Sequence, residues 1–158
     1  MSPERVRELF GYDHATGALT WRMGRGKAKA GDVAGVEDDR GYVVIGGDGK
    51  RHYAHRIVWL HVTGSVPRGV IDHIDGIRSN NRFANLRDVS HQVNMQNQRA
   101  PSRNCRSGAL GVRSFGKKYR AQISVNRVTH HLGTFNTKDE ARDAYLAAKR
   151  MVHDGCTL

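Results

Sequence analysis

Asp72 and His73 stand side by side in the run Val70-Ile71-Asp72-His73-Ile74-Asp75-Gly76, and amide side chains follow at Asn80, Asn81, Asn85 and Asn94. A carboxylate and an Asn carbonyl are hard oxygen ligands of the kind Mg²⁺ takes. A neutral imidazole next to them can remove a proton from water. Together they make a minimal set for metal-assisted hydrolysis of a phosphodiester. The surrounding chain is basic: 26 Lys and Arg against 15 Asp and Glu give a formal net charge of +11 over 158 residues. Such a field favours polyanions, which points to a nucleic-acid substrate.

Elements must bring these groups together. Val70-Ile71 opens a short strand, Asp75-Gly76 signals a turn, and an Asn-rich loop leads to a second strand at Leu86-Arg87-Asp88-Val89. Ser90 is a good N-cap for a helix running to Gln98. Successive residues of a strand point to opposite faces, so Asp72 and His73 cannot serve one centre from a flat strand. The strand is therefore expected to end or twist there. Asn94, one turn into the helix, can aim its amide oxygen back at Asp72. On this reading Asp72 and Asn94 hold the metal and His73 activates the attacking water. Asn85 hydrogen-bonds backbone and fixes the geometry of His73. Asp75, Asn80 and Asn81 are read as shaping the loop. His55 is read as a structural histidine, with a phosphate contact as the alternative. His14, His61, His91 and His153 are read as surface or packing residues.

The chain divides by composition into residues 1–51, 52–98, a linker 99–109 rich in Arg, Ser, Asn and Pro, and 110–158. In the first part Val6, Leu9 and Phe10 have helical spacing, and Tyr12 to Gly17 reads as a turn before a strand at residues 18–21. Residues 41–45 and 52–54 read as a hairpin turning at residues 46–49. Ile57, Val58, Leu60 and His61 suggest a helix stopped by Gly64 and Pro67. The hydrophobic fraction of 38% excludes a large single core. No apolar run is long enough to span a membrane, and the first residues lack the apolar stretch of a signal peptide. Cys105 and Cys156 stand alone, so a disulfide framework or cysteine zinc site is not expected, and both read as free thiols in a reducing cytoplasm.

The run from Ala54-His55-Arg56 through Asp72-His73-Ile74-Asp75-Gly76, Asn80-Asn81-Arg82, Asn85-Leu86-Arg87 and Asn94 resembles the HNH endonucleases, in particular the phage and intron-associated homing type. The resemblance implies a ββα-metal nuclease core. It makes His73 the general base, Asp72 and Asn94 the ligands of a divalent metal, and Asn85 the support of the loop. Many relatives carry His where this chain has Asn94, a weaker and neutral ligand. Residues Leu9 to Asp13 with Thr16 to Trp21 are similar to the N-terminal region of many phage HNH proteins.

From Pro101 to Phe135 there are seven Lys or Arg residues and no acid. Three strands are expected at residues 110–115, 119–125 and 129–135, then a helix from Lys138 to about Asp154, capped by Thr137. Alternation puts Tyr119, Ala121, Ile123 and Val125 on one face and Arg120, Gln122 and Ser124 on the other. Leu132 faces the helix, so Thr129 and His131 face outward. With Arg113, Lys117, Lys118 and Arg127 these form a candidate DNA-binding face, since Arg and Gln can reach base edges and Lys suits phosphates. Gly111-Val112-Arg113, Tyr119 to Ile123, His131 to Phe135 and Glu140 to Tyr145 resemble the AP2 DNA-binding domain. That implies a three-stranded antiparallel sheet packed on one helix and laid into the major groove. AP2 domains often use Trp on the sheet, where this chain has Phe115 and His131.

The expected whole is an α+β chain: a small β-rich N-terminal region, a ββα-metal nuclease core and an AP2-like domain. The expected activity is that of a metal-dependent HNH endonuclease, using Mg²⁺ or Mn²⁺ and no zinc. It would nick or cut double-stranded DNA to 5′-phosphate and 3′-hydroxyl ends. It would act as a monomer without membrane partners, in the cytoplasm of a bacterial host and phage-encoded. The rival from another class is a DNA-binding regulator with a silent nuclease centre.

Overall fold

The computed structural model describes residues 1–153 and 155–157. The chain forms two compact units, Met1–Ser90 and His91–Leu158.

In the first unit α1 (Pro3–Leu9) starts at Ser2, whose hydroxyl accepts the Arg5 N–H, and it buries Val6 and Leu9. The next residue opens β1 (Phe10–Tyr12), which pairs antiparallel with β2 (Leu19–Trp21). The Asp13 carboxylate holds their connection by accepting the Ala15 amide and the Thr16 hydroxyl at 2.8 and 2.7 Å. A second antiparallel sheet has the order β3 (Val36–Glu37), β4 (Val43–Gly47), β5 (Lys50–Tyr53). Asp48 and Gly49 both have positive φ between β4 and β5, the two-residue turn whose twist matches a hairpin. The chain passes directly from Tyr53 into α2 (Ala54–Thr63), which ends on Gly64 in the left-handed region. Finally β6 (Val70–His73) pairs antiparallel with β7 (Leu86–Val89), and a 3₁₀ turn over Phe83–Asn85 leads into β7.

These elements share one core that includes Val6, Phe10, Leu19, Ile45, Ile57, Val58, Ile71 and Leu86. Each such side chain, fully buried, is worth about 1.5–3 kcal/mol. The compositional boundary at residue 51 is therefore not a boundary of packing. Apolar residues from both sides of it fill the same interior, and no linker separates β5 from α2.

The second unit begins with α3 (His91–Gln96), shorter than the helix expected to Gln98. None of its residues is buried, so tertiary packing adds little to a short helix. Strands β8 (Val112–Phe115), β9 (Lys118–Val125) and β10 (Val128–Phe135) form an antiparallel sheet in the order β10-β9-β8. The first strand starts two residues later than the alternation suggests. Gly111 has φ +72°, and a Cβ there would lie 1.9 Å from the Tyr145 ring, so the chain must bend under that ring before it can extend. A bulge between His131 and Gly133 shifts the register of β10 on β9. The last helix, α4 (Lys138–Val152), opens with a capping box between Thr137 and Glu140. Asp154, the expected helix end, and Leu158 lie outside the described residues. Ala109, Val112, Ala121, Ile123, Ala141 and Tyr145 make the second core, with Leu132 and Phe135 packed against it. The small Ala and Gly positions let α4 approach the sheet closely.

Candidate active site

His73 is the last residue of β6, and the chain turns immediately after it. Asp72 and His73 point to opposite faces of the strand, as alternation requires. On one face Asp72 meets Arg87, its register partner on β7. Arg87 donates from Nε and Nη2 to Asp72 Oδ2 at 2.8 and 2.7 Å. On the other face the His73 ring lies edge-on to His55, with centroids 5.2 Å apart, and His55 stacks on Tyr53 at 5.4 Å and 8°. Burial, and then the neighbouring His73, push the His55 pKa down to about 3. A neutral ring packed between two others is a wall of the site, which favours the structural reading of His55 over the phosphate contact.

Asn81 is the partner that sequence reasoning did not single out. Its side chain is buried, at 3% exposure, and its Oδ1 lies 3.3 Å from His73 Nε2. Asn81 Nδ2 donates to the Ser79 carbonyl at 3.2 Å, which turns the amide oxygen toward the imidazole. An amide oxygen can only accept, so in this contact Nε2 is the ring nitrogen that carries a proton. Burial lowers the His73 pKa, and the Asn81 hydrogen bond with the Asp75 and Asp72 charges offset that only in part. The imidazole is thus held toward its neutral form. Asn81 lies in no strand, so alternation could not set it apart from Asn80.

The loop after His73 is closed by its own hydrogen bonds. Asn85 Oδ1 accepts the Asp75 amide at 3.0 Å, and Asn85 Nδ2 donates to Asp75 Oδ1 and to the Asn80 carbonyl at 3.0 and 2.9 Å. Asn80 Nδ2 donates to Asp75 Oδ2 at 2.6 Å, and the Ile77 amide donates to Asp75 Oδ1 at 2.8 Å. Burial raises the Asp75 pKa, but these bonds outweigh it and the net shift is downward. Asp75 and Asn80 therefore sit in the loop framework. The Ile74 amide donates to the Asn85 carbonyl at 2.9 Å, tying the residue after His73 to the same framework.

Asn94 lies on α3, in the second unit. Among the described residues no group of three or more His, Cys, Asp or Glu side chains is placed to hold a metal ion. Mg²⁺ is commonly held by one or two carboxylates together with water and substrate phosphates. A single buried carboxylate, shared with Arg87, fits an ion of that kind recruited with a phosphate.

On the sheet of the second unit, Arg113 and Arg120 are register partners, as are Gln122 with His131 and Ser124 with Thr129. The Arg120 guanidinium covers the Phe115 ring at 4.0 Å, and the Ser124 and Thr129 hydroxyls are 2.9 Å apart. Lys117 and Lys118 are exposed at one hairpin, and Arg127 is exposed at the other with φ +67°. Like charges placed opposite each other weaken a strand pair, and an anion over them relieves that repulsion.

Residues 52–96, from β5 to the end of α3, match the HNH endonuclease family. The match is to this segment, and the two curated relatives below are named as endonucleases. The chain is 43% identical over 54 residues to DNA endonuclease I-HmuI of Bacillus phage SP01, covering 34% of this chain and 31% of that protein. It is 31% identical over 107 residues to the uncharacterized HNH endonuclease L560 of Acanthamoeba polyphaga mimivirus, covering 66% of this chain and 54% of that one. The chain thus aligns with about half the length, or less, of these curated relatives. No solved structure matches.

Proposed function

We propose that this chain is a metal-dependent DNA endonuclease in which His73 is the general base. The observation that carries the reading is the state of that side chain. Within the HNH segment it is buried, neutral and hydrogen-bonded at Nε2 by Asn81. His73 takes a proton from the water that attacks the phosphorus. The Asn85 framework keeps the turn after His73 in place, and the Tyr53–His55 stack walls the ring. Arg87 pairs with Asp72 and keeps its carboxylate charge compensated in a buried place.

Asp72 and Asn94 would hold Mg²⁺ or Mn²⁺, which when bound would stabilise charge on the phosphate and on the departing 3′-oxygen. The cut would leave 5′-phosphate and 3′-hydroxyl ends. DNA is the substrate class that the relative I-HmuI is named for. The second unit, on the AP2-like reading, would place duplex DNA through Arg113, Lys117, Lys118, Arg120, Gln122, Ser124, Arg127, Thr129 and His131. One centre per chain suits nicking by a monomer. The setting that goes with this reading is the cytoplasm of a bacterial host, with the chain encoded by a phage.

One observation favours the rival regulator: the carboxylate expected to take the metal already pairs with a guanidinium. Supercoiled plasmid incubated with the protein and Mg²⁺ separates the two. Nicked product that vanishes with EDTA and that ligase can reseal supports the nuclease and its end chemistry. Tight binding with no cutting in Mg²⁺ or Mn²⁺ supports the regulator.

A further inference from the structure

The turn after β1, Asp13 to Gly17, is placed against the segment that carries Asn81. The Tyr12 hydroxyl accepts the Phe83 amide at 2.8 Å and donates to the Asn81 carbonyl at 3.2 Å. One hydroxyl thus ties the backbone on both sides of Arg82, about seventy residues away in sequence. Gly17 lies on the same backbone. A Cβ there would be 2.4 Å from Arg82 N and 2.6 Å from the Asn81 carbonyl carbon, and its φ is +79°. Only glycine permits that approach. The turn is itself made rigid by the Asp13 bonds to Ala15 and Thr16, and by the Gly17 amide on the Asp13 carbonyl at 2.8 Å.

The apolar residues of β1 and β2, namely Phe10, Leu19 and Trp21, already anchor this hairpin in the core. The polar contacts at its tip are a separate feature, and they meet one short stretch, residues 81–83. The Asn81–His73 bond is 3.3 Å, at the long end for an N–H···O contact. A displacement of a few tenths of an ångström would lose it. The bond therefore depends on what holds the Asn81 backbone.

We propose that the N-terminal hairpin positions the general base. Tyr12 and Gly17 fix the Asn81 backbone so that its side-chain oxygen holds His73 Nε2–H. Tyr12, Gly17 and Asn81 are positioning residues, acting through His73. This rests on the reading of His73 as the base of a nuclease, but its structural half can be observed without any cutting.

The test uses the full chain and Tyr12→Phe, which keeps the ring and removes both hydroxyl bonds. Asn81→Ala serves as the second variant. Two readouts are taken: ¹⁵N–¹H spectra of the His73 imidazole, which report the tautomer, and plasmid nicking separated into kcat and KM. Expected is a wild-type ring protonated at Nε2, a mixed tautomer in both variants, and a fall in kcat of about tenfold with KM unchanged. If Tyr12→Phe leaves the tautomer and kcat as in wild type, the positioning role is overturned. A fall in thermal stability with no change in tautomer overturns it equally, since that is what a purely structural contact gives. If the wild type does not nick at all, the nuclease reading fails, and the tautomer shift alone decides whether the hairpin holds the imidazole.

Discussion

The loop after His73 and the outer face of the β8–β9–β10 sheet are both polar, and they treat polarity in opposite ways. In the loop, Asp75, Asn80 and Asn85 satisfy one another and the backbone through a closed set of bonds. Beside the loop, His73 and His55 are both pushed toward neutrality by burial. On the sheet, Arg113 and Arg120 face each other across two strands, and Lys117, Lys118 and Arg127 stand exposed. The first region spends its hydrogen bonds internally and so has a fixed geometry, which a proton-transfer site needs. The second keeps its charge exposed to solvent, which a surface for a polyanion needs. Substitutions in the loop are expected to change rate, and substitutions on the sheet to change affinity and its salt dependence.

The largest effect that sharpens this contrast is on the sheet. Replacing both Lys117 and Lys118 by Ala is expected to weaken duplex binding and to lower the slope of log K against log salt by about 2, near 0.9 per lost phosphate contact. The cutting rate of bound DNA should stay unchanged. Binding isotherms over a salt series check this, and an unchanged slope would remove the sheet from the interface.

Asn85→Ala should act the other way round. It removes three hydrogen bonds from a half-buried loop, so a loss of about 1–3 kcal/mol in urea unfolding is expected, together with slower cutting and unaltered DNA affinity. A fall in affinity as large as the fall in rate would break the division between the two regions.

Acid should also separate them. Unfolded, His55 takes a proton as pH falls below about 6.5, whereas folded it does so only near 3. Between those values the unfolded state binds more protons, so stability is full above about 6.5 and declines as pH drops. The lowered pKa of His73 acts in the same direction. His55→Phe should reduce the decline measured by denaturation between pH 7 and 4. An equal decline in the variant would mean that the ring is not held neutral in the fold.

The smallest effect is at the β9–β10 turn. Asn126 and Arg127 have φ of +50° and +67°. Arg127→Gly should raise stability by up to about 1 kcal/mol, because only glycine takes that conformation without steric penalty. It should also weaken binding slightly. Thermal melts and isotherms on one sample would show whether the two changes have opposite signs.

What could be read from the sequence is what depends on neighbours along the chain. Strand alternation placed Arg120, Gln122 and Ser124 opposite Ala121 and Ile123, and the buried set at Ala121 and Ile123 agrees. Residues 86–89 form the expected strand, and β6 ends at His73, where an end or a twist is expected. The Asp48-Gly49 turn falls inside the expected one. What stayed hidden depends on partners far apart in sequence. Arg87 opposite Asp72 follows only once the register of β6 on β7 is known. Tyr12 reaches Asn81 and Phe83 across a folded core that composition divides at residue 51. Asn81 looked like its neighbour Asn80 because both are small amides in a turn-rich segment, and only burial tells them apart.

The central claim is that His73, held neutral at the end of β6, is the base of a metal-dependent cut. Single-turnover nicking of a bound duplex by wild type and His73→Ala, in Mg²⁺ and with affinity measured on the same samples, tests it most directly. The expected result is a loss of about 10² to 10⁴ in rate with affinity unchanged. Equal rates in the two proteins, or no Mg²⁺-dependent nicking by wild type that binds the duplex, would contradict the account.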